Sequence, residues 1–202
     1  TQAQVYREGF TPNSFLVYKQ LYDTAGNPIE GAYADLNSDG IINENDKYIY
    51  QNPDPDFLIG FGSNLTYKNW DFSFNMRASI GNNAFNQVNA SRAQLNQLVP
   101  NGFPSNIPVN VLDTNFNVQS DVILSDIWIE DASFLRMDNI TLGYTFPKWI
   151  GGLASLRLSA GVQNAFIITD YSGLDPEITN SGVDATIYPR QRQFLFGANI
   201  KF

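Results

Sequence analysis

The chain has 202 residues, a formal net charge of −8 and only 12 Lys and Arg residues. Binding to nucleic acid requires a basic surface that displaces counterions from phosphate, so no nucleic-acid partner is expected. Cys and His are both absent, which excludes disulfide bonds, zinc sites built from thiolate or imidazole, and acid–base catalysis by imidazole. An enzyme is therefore not expected.

The region 1–56 is interpreted as an extracellular loop region with a possible strand at 14–22, and its most distinctive feature is an acidic segment at 35–46. Asp35, Asp39 and Gly40 reproduce positions 1, 5 and 6 of the twelve-residue loop that binds Ca²⁺ in EF-hand proteins. Carboxylate, amide and carbonyl oxygens are the ligands that Ca²⁺ prefers. The expected ligands of a structural Ca²⁺ ion are Asp35, Asn37, Asp39, the carbonyl of Ile41, Asn43 and Asp46.

The last position of this loop departs from the usual pattern. Asp46 replaces the longer Glu that normally closes the coordination sphere, so the expected affinity for Ca²⁺ is modest. Ile42 is expected to pack inward as an anchor. The alternative interpretation is a turn rich in Asp and Asn, whose side chains bond their own backbone without a metal.

Strict alternation of apolar and polar residues predicts a transmembrane β-hairpin at 57–81. From Trp70 to Ile80 every second residue is apolar, and a period of two is typical of a strand with two different faces. The segment from Phe57 to Tyr67 shows a similar alternation, with Lys68-Asn69 as the turn between the strands.

The same alternation predicts the remaining strands and, between them, the remaining loops. The remaining predicted divisions are an extracellular loop at 82–132, a second hairpin at 133–166 with its connection at 147–155, another extracellular loop at 167–191 and a barrel strand at 192–202. Phe194, Phe196, Ile200 and Phe202 alternate along this last strand. Such alternation fits a strand that faces lipid on one side.

The lengths of the strands and connections distinguish a membrane barrel from a soluble sandwich. Sandwich strands usually have about 5 to 6 residues, whereas membrane-spanning strands need roughly 9 to 11. Outer-membrane barrels alternate short periplasmic turns with long extracellular loops. The predicted fold is all-β, the C-terminal portion of a transmembrane barrel with about five or six antiparallel strands and a periplasmic C-terminus. The alternative is a soluble, calcium-stabilised β-sandwich that binds carbohydrate.

One face of these strands would line the barrel interior. The polar candidates for contact with a solute are Asp71, Asn75, Arg77, Arg157 and Gln163. A solvated lining explains the same residues, because barrel interiors are polar. Trp128 and Tyr171 also have two interpretations, as platforms for sugar rings or as aromatic residues at the membrane interface.

Several segments, in order along almost the whole chain, resemble the SusC/RagA family of TonB-dependent outer-membrane transporters of the Bacteroidetes. The most recognisable is 125–136, SDIWIEDASFLR. The other segments are 7–10 (REGF), 14–15 (SF), 35–42 (DLNSDGII), 52–57 (NPDPDF), 60–61 (GF), 67–71 (YKNWD), 142–147 (LGYTFP), 163–166 (QNAF), 171–177 (YSGLDPE) and 188–190 (YPR). The ordered set is more specific than any one of its members.

The resemblance implies a function and a set of partners. It implies a plugged barrel of about 22 strands in outer-membrane lipid, a surface lipoprotein of the SusD type, and energy coupling through TonB. The imported solute would be a large nutrient, an oligosaccharide or a peptide. The plug and the TonB-binding segment are N-terminal in the family, so this chain is expected to supply wall and extracellular loops to the remaining barrel and plug.

Overall fold

The computed structural model describes residues 3–118, 124–178, 182–185 and 188–202, so parts of the predicted loops, 119–123, 179–181 and 186–187, lie outside the described residues. The strands are β1 (Gln4–Val5), β2 (Ser14–Tyr18), β3 (Gln20–Tyr22), β4 (Pro28–Tyr33), β5 (Lys47–Tyr50), β6 (Phe57–Tyr67), β7 (Trp70–Ile80), β8 (Asn83–Asn86), β9 (Ile129–Asp131), β10 (Phe134–Trp149), β11 (Ala154–Thr169), β12 (Val183–Asp184) and β13 (Gln193–Lys201). The α-helices are α1 (Gln87–Arg92) and α2 (Val111–Thr114). Short 3₁₀ helices lie at Glu44–Asp46, Leu95–Gln97, Pro100–Gly102, Asp126–Trp128 and Ile150–Gly152. None of the helices in these ranges is long and apolar enough to cross a membrane.

The chain divides into two compact units, of which the first described here is the sheet unit, residues 55–81, 133–170 and 189–202. Its five long strands form one antiparallel sheet in the order β13-β11-β10-β7-β6. Strands β6 and β7 have 11 residues each, and β10 and β11 have 16 each. These lengths reach or exceed what a membrane-spanning strand needs.

The second hairpin is longer than the sequence pattern indicates. Strand β10 continues through Pro147 to Trp149 and β11 begins at Ala154, so the connection is 150–153 rather than 147–155. Strand β11 also continues to Thr169, past the predicted end of the hairpin at 166. The alternation of apolar and polar residues is lost near both ends of this hairpin, although the pairing of the two backbones continues.

The register of the sheet aligns its apolar side chains in rows. One row runs across all five strands through Leu65, Phe72, Leu142, Ala160 and Phe196. Because successive side chains of a strand point to opposite faces, residues that pair directly share a face. The sheet unit therefore has one continuous apolar face and one polar face.

A β-bulge in β10 keeps these two faces apart. Asp138 is an extra residue between the pairs Met137 with Met76 and Asn139 with Asn75. Residues two apart in a regular strand share a face, so if β10 continued through Asp138 without a bulge, Met137 and Asn139 would point the same way. The bulge lets Met137 join the apolar rows and Asn139 the polar ones.

The second unit, the loop unit, contains residues 1–54, 82–132 and 171–188. It holds two three-stranded sheets, β1-β2-β5 and β12-β8-β9, and the β3-β4 hairpin. Its core includes Phe15, Phe85, Phe116 and Trp128, each at most 3% exposed. Three stretches predicted mainly as loops thus build a folded unit with its own apolar core.

Candidate functional site

The polar face of the sheet unit carries an ion pair that spans three strands. Arg157 on β11 donates from Nε to Asp71 Oδ2 on β7 at 3.0 Å, and its Nη2 contacts Asp71 Oδ1. Strand β10 lies between them, with Gly143 paired to Asp71 on one side and to Ser159 on the other. A Cβ atom at Gly143 would clash with both charged groups. The absence of a side chain at this position lets the ion pair cross the strand.

A second ion pair holds the bulge. Arg77 Nε donates to both carboxylate oxygens of Asp138 at 3.0 Å. Beside it, Asn75 Nδ2 donates to Asn139 Oδ1 at 3.1 Å. The sequence pattern alone does not place Asp138 on the polar face, because it does not reveal the bulge.

The five polar residues predicted to line the interior divide into two groups. Asp71, Asn75, Arg77 and Arg157 are bonded to other side chains of the same sheet. Gln163 has no side-chain hydrogen bond within the described ranges and is exposed. Because their polar groups are already paired, the first four side chains are better suited to stabilising the sheet than to binding a solute.

The acidic segment 35–46 folds as a tight loop. Asp35 Oδ1 and Oδ2 accept hydrogen bonds from the backbone N–H groups of Ser38 (2.6 Å) and Gly40 (2.8 Å). Asp39 Oδ1 accepts from the N–H of Ile41 at 2.8 Å. Gly40 has φ +80°, a left-handed conformation that glycine adopts without strain. The turn predicted from the glycine position is present.

Asp46 closes this loop from the other end and is fully buried. Its Oδ1 accepts from Leu36 N–H at 2.9 Å and its Oδ2 from Asn43 N–H at 2.8 Å. These backbone hydrogen bonds, that of Asn43 first, hold the pKa of the Asp46 carboxyl below its usual value. The carboxylate is thus the ionised form at neutral pH.

The oxygen atoms of the loop are of the kind that Ca²⁺ binds, but their positions match a Ca²⁺ site only in part. Within the described ranges no three acidic side chains converge closely enough to hold a metal ion, so an ion here needs amide and carbonyl oxygens as well. Asn37 Nδ2 bonds Asp39 Oδ2 at 2.9 Å, and Asn43 Nδ2 bonds Ile41 O at 3.1 Å. The carboxylates of Asp35 and Asp46 retain lone pairs beyond those the backbone uses.

The prediction that Ile42 packs inward is wrong. Its side chain is 42% exposed. The buried group that closes the loop is Asp46, which forms a capping box with Asn43 at the start of the 3₁₀ helix. The loop is therefore anchored by polar contacts rather than by an apolar side chain.

Both interpretations of Trp128 and Tyr171 are wrong, because these rings lie inside the loop unit. Trp128 is 3% exposed and packs edge-on against Phe116, with ring centroids 6.2 Å apart. Tyr171 is 5% exposed, and its hydroxyl donates to Asp184 Oδ2 at 2.8 Å. Neither ring is available to a sugar or to lipid.

The first part of the segment 125–136, residues 125–132, organises the loop unit. Ser125 Oγ donates to Gln20 Oε1 at 2.9 Å. Asp126 accepts from the N–H of Gln20 at 2.9 Å and from the Tyr48 hydroxyl at 2.6 Å. Burial and the hydrogen bond to Asp126 raise the pKa of Tyr48. These contacts join stretches about a hundred residues apart, which the sequence pattern alone does not reveal.

The same segment also fixes a third stretch. Glu130 Oε2 accepts from the N–H of Ser172 at 2.8 Å, and its Oε1 accepts from the Ser172 hydroxyl at 2.8 Å and from Asn86 Nδ2 at 3.0 Å. Glu130 therefore joins the strand β8 region to the segment that follows β11.

Comparison with known proteins identifies relatives along the whole chain. The TonB-dependent receptor SusC of Bacteroides thetaiotaomicron is 43% identical over 212 residues, covering 100% of this chain and 20% of the relative. The TonB-dependent receptor P3 of Formosa agariphila is 32% identical, covering 100% of this chain and 23% of the relative. No family model matches.

Solved structures show the same fold. The RagAB peptide importer in its open-open state matches with a TM-score of 0.71 and 18% identity, covering 99% of this chain and 23% of that one. The RagAB peptide transporter matches with a TM-score of 0.67 and 18% identity, covering 93% of this chain and 22% of that one.

The long strands, their two-faced sheet and these relatives all favour the barrel interpretation over the soluble sandwich. The relatives are receptors and transporters, not enzymes. This chain spans about a fifth of the length of the curated relatives it matches. It belongs to the SusC/RagA family of TonB-dependent receptors.

Proposed function

We propose that this chain forms part of the wall, and the associated extracellular loops, of a TonB-dependent importer of large nutrients, oligosaccharides or peptides. The observation that carries the proposal is the 43% identity to SusC across the entire chain. The complete barrel has about 22 strands around a plug. Its strands beyond β6 and β13 pair with the outer edges of these two, because an unpaired strand edge in lipid costs several kcal/mol for each exposed backbone group.

The orientation and partners follow from the same proposal. TonB-dependent receptors are outer-membrane proteins. The short connections, Lys68-Asn69 and 150–153, lie on the periplasmic side together with the end of β13, and the segments predicted as extracellular loops lie outside the cell. A SusD-type surface lipoprotein binds over the outer opening, and TonB acts through the N-terminal part of the receptor.

Uptake measurements test this function. Cells that make the complete receptor are supplied with fluorescent oligosaccharides and fluorescent peptides, and accumulation is compared with strains lacking the receptor or lacking TonB. Loss of uptake of one solute class in both strains supports the proposal. Uptake that is unchanged in either strain contradicts it.

Purification of the tagged receptor in detergent tests the partner. A surface lipoprotein is expected to co-purify in a constant ratio. A receptor that is fully active in uptake without any co-purified lipoprotein contradicts the partnership.

We also propose that the loop 35–46 binds a structural Ca²⁺ ion. The supporting observation is the fold of the loop, in which Asp35 and Asp39 meet the backbone N–H groups around Gly40 while keeping further lone pairs. The ion would take Asp35, Asn37, Asp39, the carbonyl of Ile41, Asn43 and Asp46.

Titration of the complete receptor with Ca²⁺ tests this site. The double substitution Asp35→Ala with Asp39→Ala should remove one bound ion. Asp23→Ala is the matched control, because Asp23 accepts similar backbone hydrogen bonds from Ala25 and Asn27 in a turn outside the loop. Equal Ca²⁺ binding by the double variant and the wild type contradicts the site.

A further inference from the structure

The last strand of the sheet, β13, pairs with β11, although a long segment of chain separates the two. Residues 170–192 connect them, whereas β6 and β7 are joined by Lys68-Asn69 and β10 and β11 by 150–153. A tight turn fixes the register of the strands that it joins, and a long connection restrains its ends only weakly. The register of β13 on β11 therefore needs another determinant.

The two faces of the sheet exclude some alternative registers and permit others. A slip by one residue would turn the apolar side chains of β13 to the polar face. A slip by two residues would keep the side chains of β13 on their faces, and it would place Phe196 or Ile200 opposite Leu158 in place of Ala198. Since all of these residues are apolar, the pattern of faces does not distinguish the observed register from a slip by two.

A side-chain contact lies at the point where the pairing of β11 with β13 ends. The last pair is Gln163 with Gln193. The next residue of β11, Asn164, has φ +52°, a left-handed conformation that Asn tolerates and that a regular strand does not contain. Its Nδ2 donates to the carbonyl oxygen atoms of Arg190 at 2.7 Å and Gln191 at 3.3 Å. Beyond the last backbone pair, the Asn164 side chain thus holds the chain that leads into β13.

The oxygen of the Asn164 side chain is held from the other side by β10. Arg136 Nη1 donates to Asn164 Oδ1 at 2.7 Å, and Arg136 is 2% exposed. A guanidinium group only donates and a carbonyl group only accepts, so these partners allow one orientation of the amide. Asn164 also lies where the pairing of β11 with β10 shifts, beside the bulge at Asp138. The amide therefore has a fixed position on β11 and a fixed direction.

We propose that Asn164 is a positioning residue that sets the register of β13 on β11. A slip by two residues would carry the carbonyl groups of Arg190 and Gln191 roughly 6–7 Å along β11, beyond the reach of an amide that cannot follow them. The other neighbouring strands with a long connection, β7 and β10, also share a side-chain contact, Arg77 with Asp138. The consequence for the barrel rests on the proposed function, in which the outer edge of β13 pairs with the remaining wall.

Disulfide cross-linking in the complete receptor, made free of other Cys, tests this register. Leu158→Cys with Ala198→Cys reports the observed register, and Leu158→Cys with Phe196→Cys or with Ile200→Cys reports a slip by two. Directly opposite residues have Cα atoms about 4.5–5.5 Å apart, whereas diagonal neighbours are about 7–8 Å apart, too far for a disulfide. Cells are oxidised with copper phenanthroline, and the linked peptides are quantified by mass spectrometry.

Two substitutions of Asn164 are compared with a control. Asn164→Gly keeps the left-handed backbone without strain and removes every side-chain hydrogen bond. Asn164→Asp keeps an acceptor for Arg136 and removes only the donor to 190–191. Gln163→Ala is the control, because the Gln163 amide has no side-chain hydrogen bond among the residues that the structure describes.

Both Asn164 variants should raise the ratio of slipped to observed cross-link about fivefold or more relative to the same cysteine pairs with Asn164 unchanged. This is the effect expected for two neutral hydrogen bonds at the low end of their usual contribution. The control should change the ratio by less than about twofold. If Asn164→Gly gives no folded receptor, Asn164→Asp decides alone, since it removes the same two contacts with the carbonyl groups.

Three results would overturn the proposal: the ratio in both Asn164 variants matches that of the control, all cross-links decrease together at a constant ratio, or Asn164→Gly alone raises the ratio. The second result would indicate a general loss of stability, and the third would assign the effect to the contact with Arg136. Failure of the proposed function is distinguishable, because it is measured as wild-type uptake that does not depend on TonB. An unchanged ratio together with TonB-dependent uptake removes only the role of Asn164.

Discussion

Arg157 on β11 and Asp71 on β7 meet above Gly143, the residue of β10 that separates them. Neighbouring strands of a sheet are joined by backbone hydrogen bonds, but strands two apart are joined only by side chains. The ion pair therefore links β7 to β11 and fixes their positions across β10. Since both side chains are more than a third exposed, the charge interaction itself contributes little to stability. Its main consequence is geometric, because the ion pair needs the space that a side chain at position 143 would occupy.

Gly143→Ala should destabilise the sheet unit. The new methyl group would occupy the space of the two charged groups and force the ends of these side chains apart, and the loss of an exposed ion pair typically costs about 0.2–1 kcal/mol. The temperature at which the complete receptor loses its folded band in electrophoresis without boiling should fall. Gly60→Ala is the control, since no atom of the described residues lies within 4 Å of its new methyl group. Equal melting temperatures for the two variants would refute this role of Gly143.

Tyr171→Phe should weaken the loop unit. Asp184 is 3% exposed, and its Oδ1 has no hydrogen-bond partner among the described residues. Removal of the Tyr171 hydroxyl takes the donor from Oδ2, and an unsatisfied buried polar group costs about 1–3 kcal/mol. Hydrogen exchange in the complete receptor should accelerate around β8 and 171–178.

Two further variants make this prediction specific. Tyr22→Phe removes a hydroxyl from a ring that is 53% exposed, so exchange should not change. Adding Asp184→Asn to Tyr171→Phe should restore part of the protection, because a neutral side chain loses less on burial than a carboxylate. Full protection in Tyr171→Phe alone would show that the hydrogen bond contributes nothing.

The loop 35–46 should loosen in acid. The folded pKa of Asp46 lies below its usual value because of the backbone hydrogen bonds from Asn43 and Leu36. A carboxyl with a lowered folded pKa stabilises the fold above its unfolded pKa, and that contribution disappears as the pH falls through the folded pKa. The pKa of an Asp carboxyl in an unfolded chain is about 3.9, so the loss lies below that pH.

Hydrogen exchange between pH 5 and pH 2.5, corrected for intrinsic rates, measures this effect. Protection of the Leu36 and Asn43 amides should fall with pH in the wild type. In Asp46→Asn the same amides should show protection that does not vary with pH. Identical pH profiles for the two proteins would contradict the contribution of Asp46.

The two-faced strands could be predicted from the sequence because their evidence is local. Alternation from Trp70 to Ile80 is visible in eleven consecutive residues, and the structure places β7 there. The bulge was not visible, because Met137, Asp138 and Asn139 reveal their faces only through the partners Met76 and Asn75 on another strand.

The loop unit could not be predicted for the same physical reason. Phe85 on β8 is buried, and β8 pairs in parallel with Val183 on β12, about a hundred residues later. No local period marks residues whose burial depends on such distant contacts. For the same reason the sequence did not reveal that Trp128 and Tyr171 are core residues and not candidates for contact with a solute.

Single-cysteine labelling of the complete receptor in its membrane tests the central claim, that the apolar face of the sheet contacts lipid and the polar face contacts water. This chain has no Cys, so in a cysteine-free receptor each introduced thiol reports only its own position. Cysteines at Leu65, Leu142 and Phe196 should react with a lipid-soluble maleimide and be quenched by brominated lipid. Cysteines at Thr141, Ser159 and Gly197 should react with a charged, water-soluble maleimide instead. Equal labelling of both faces by the water-soluble reagent would contradict the account.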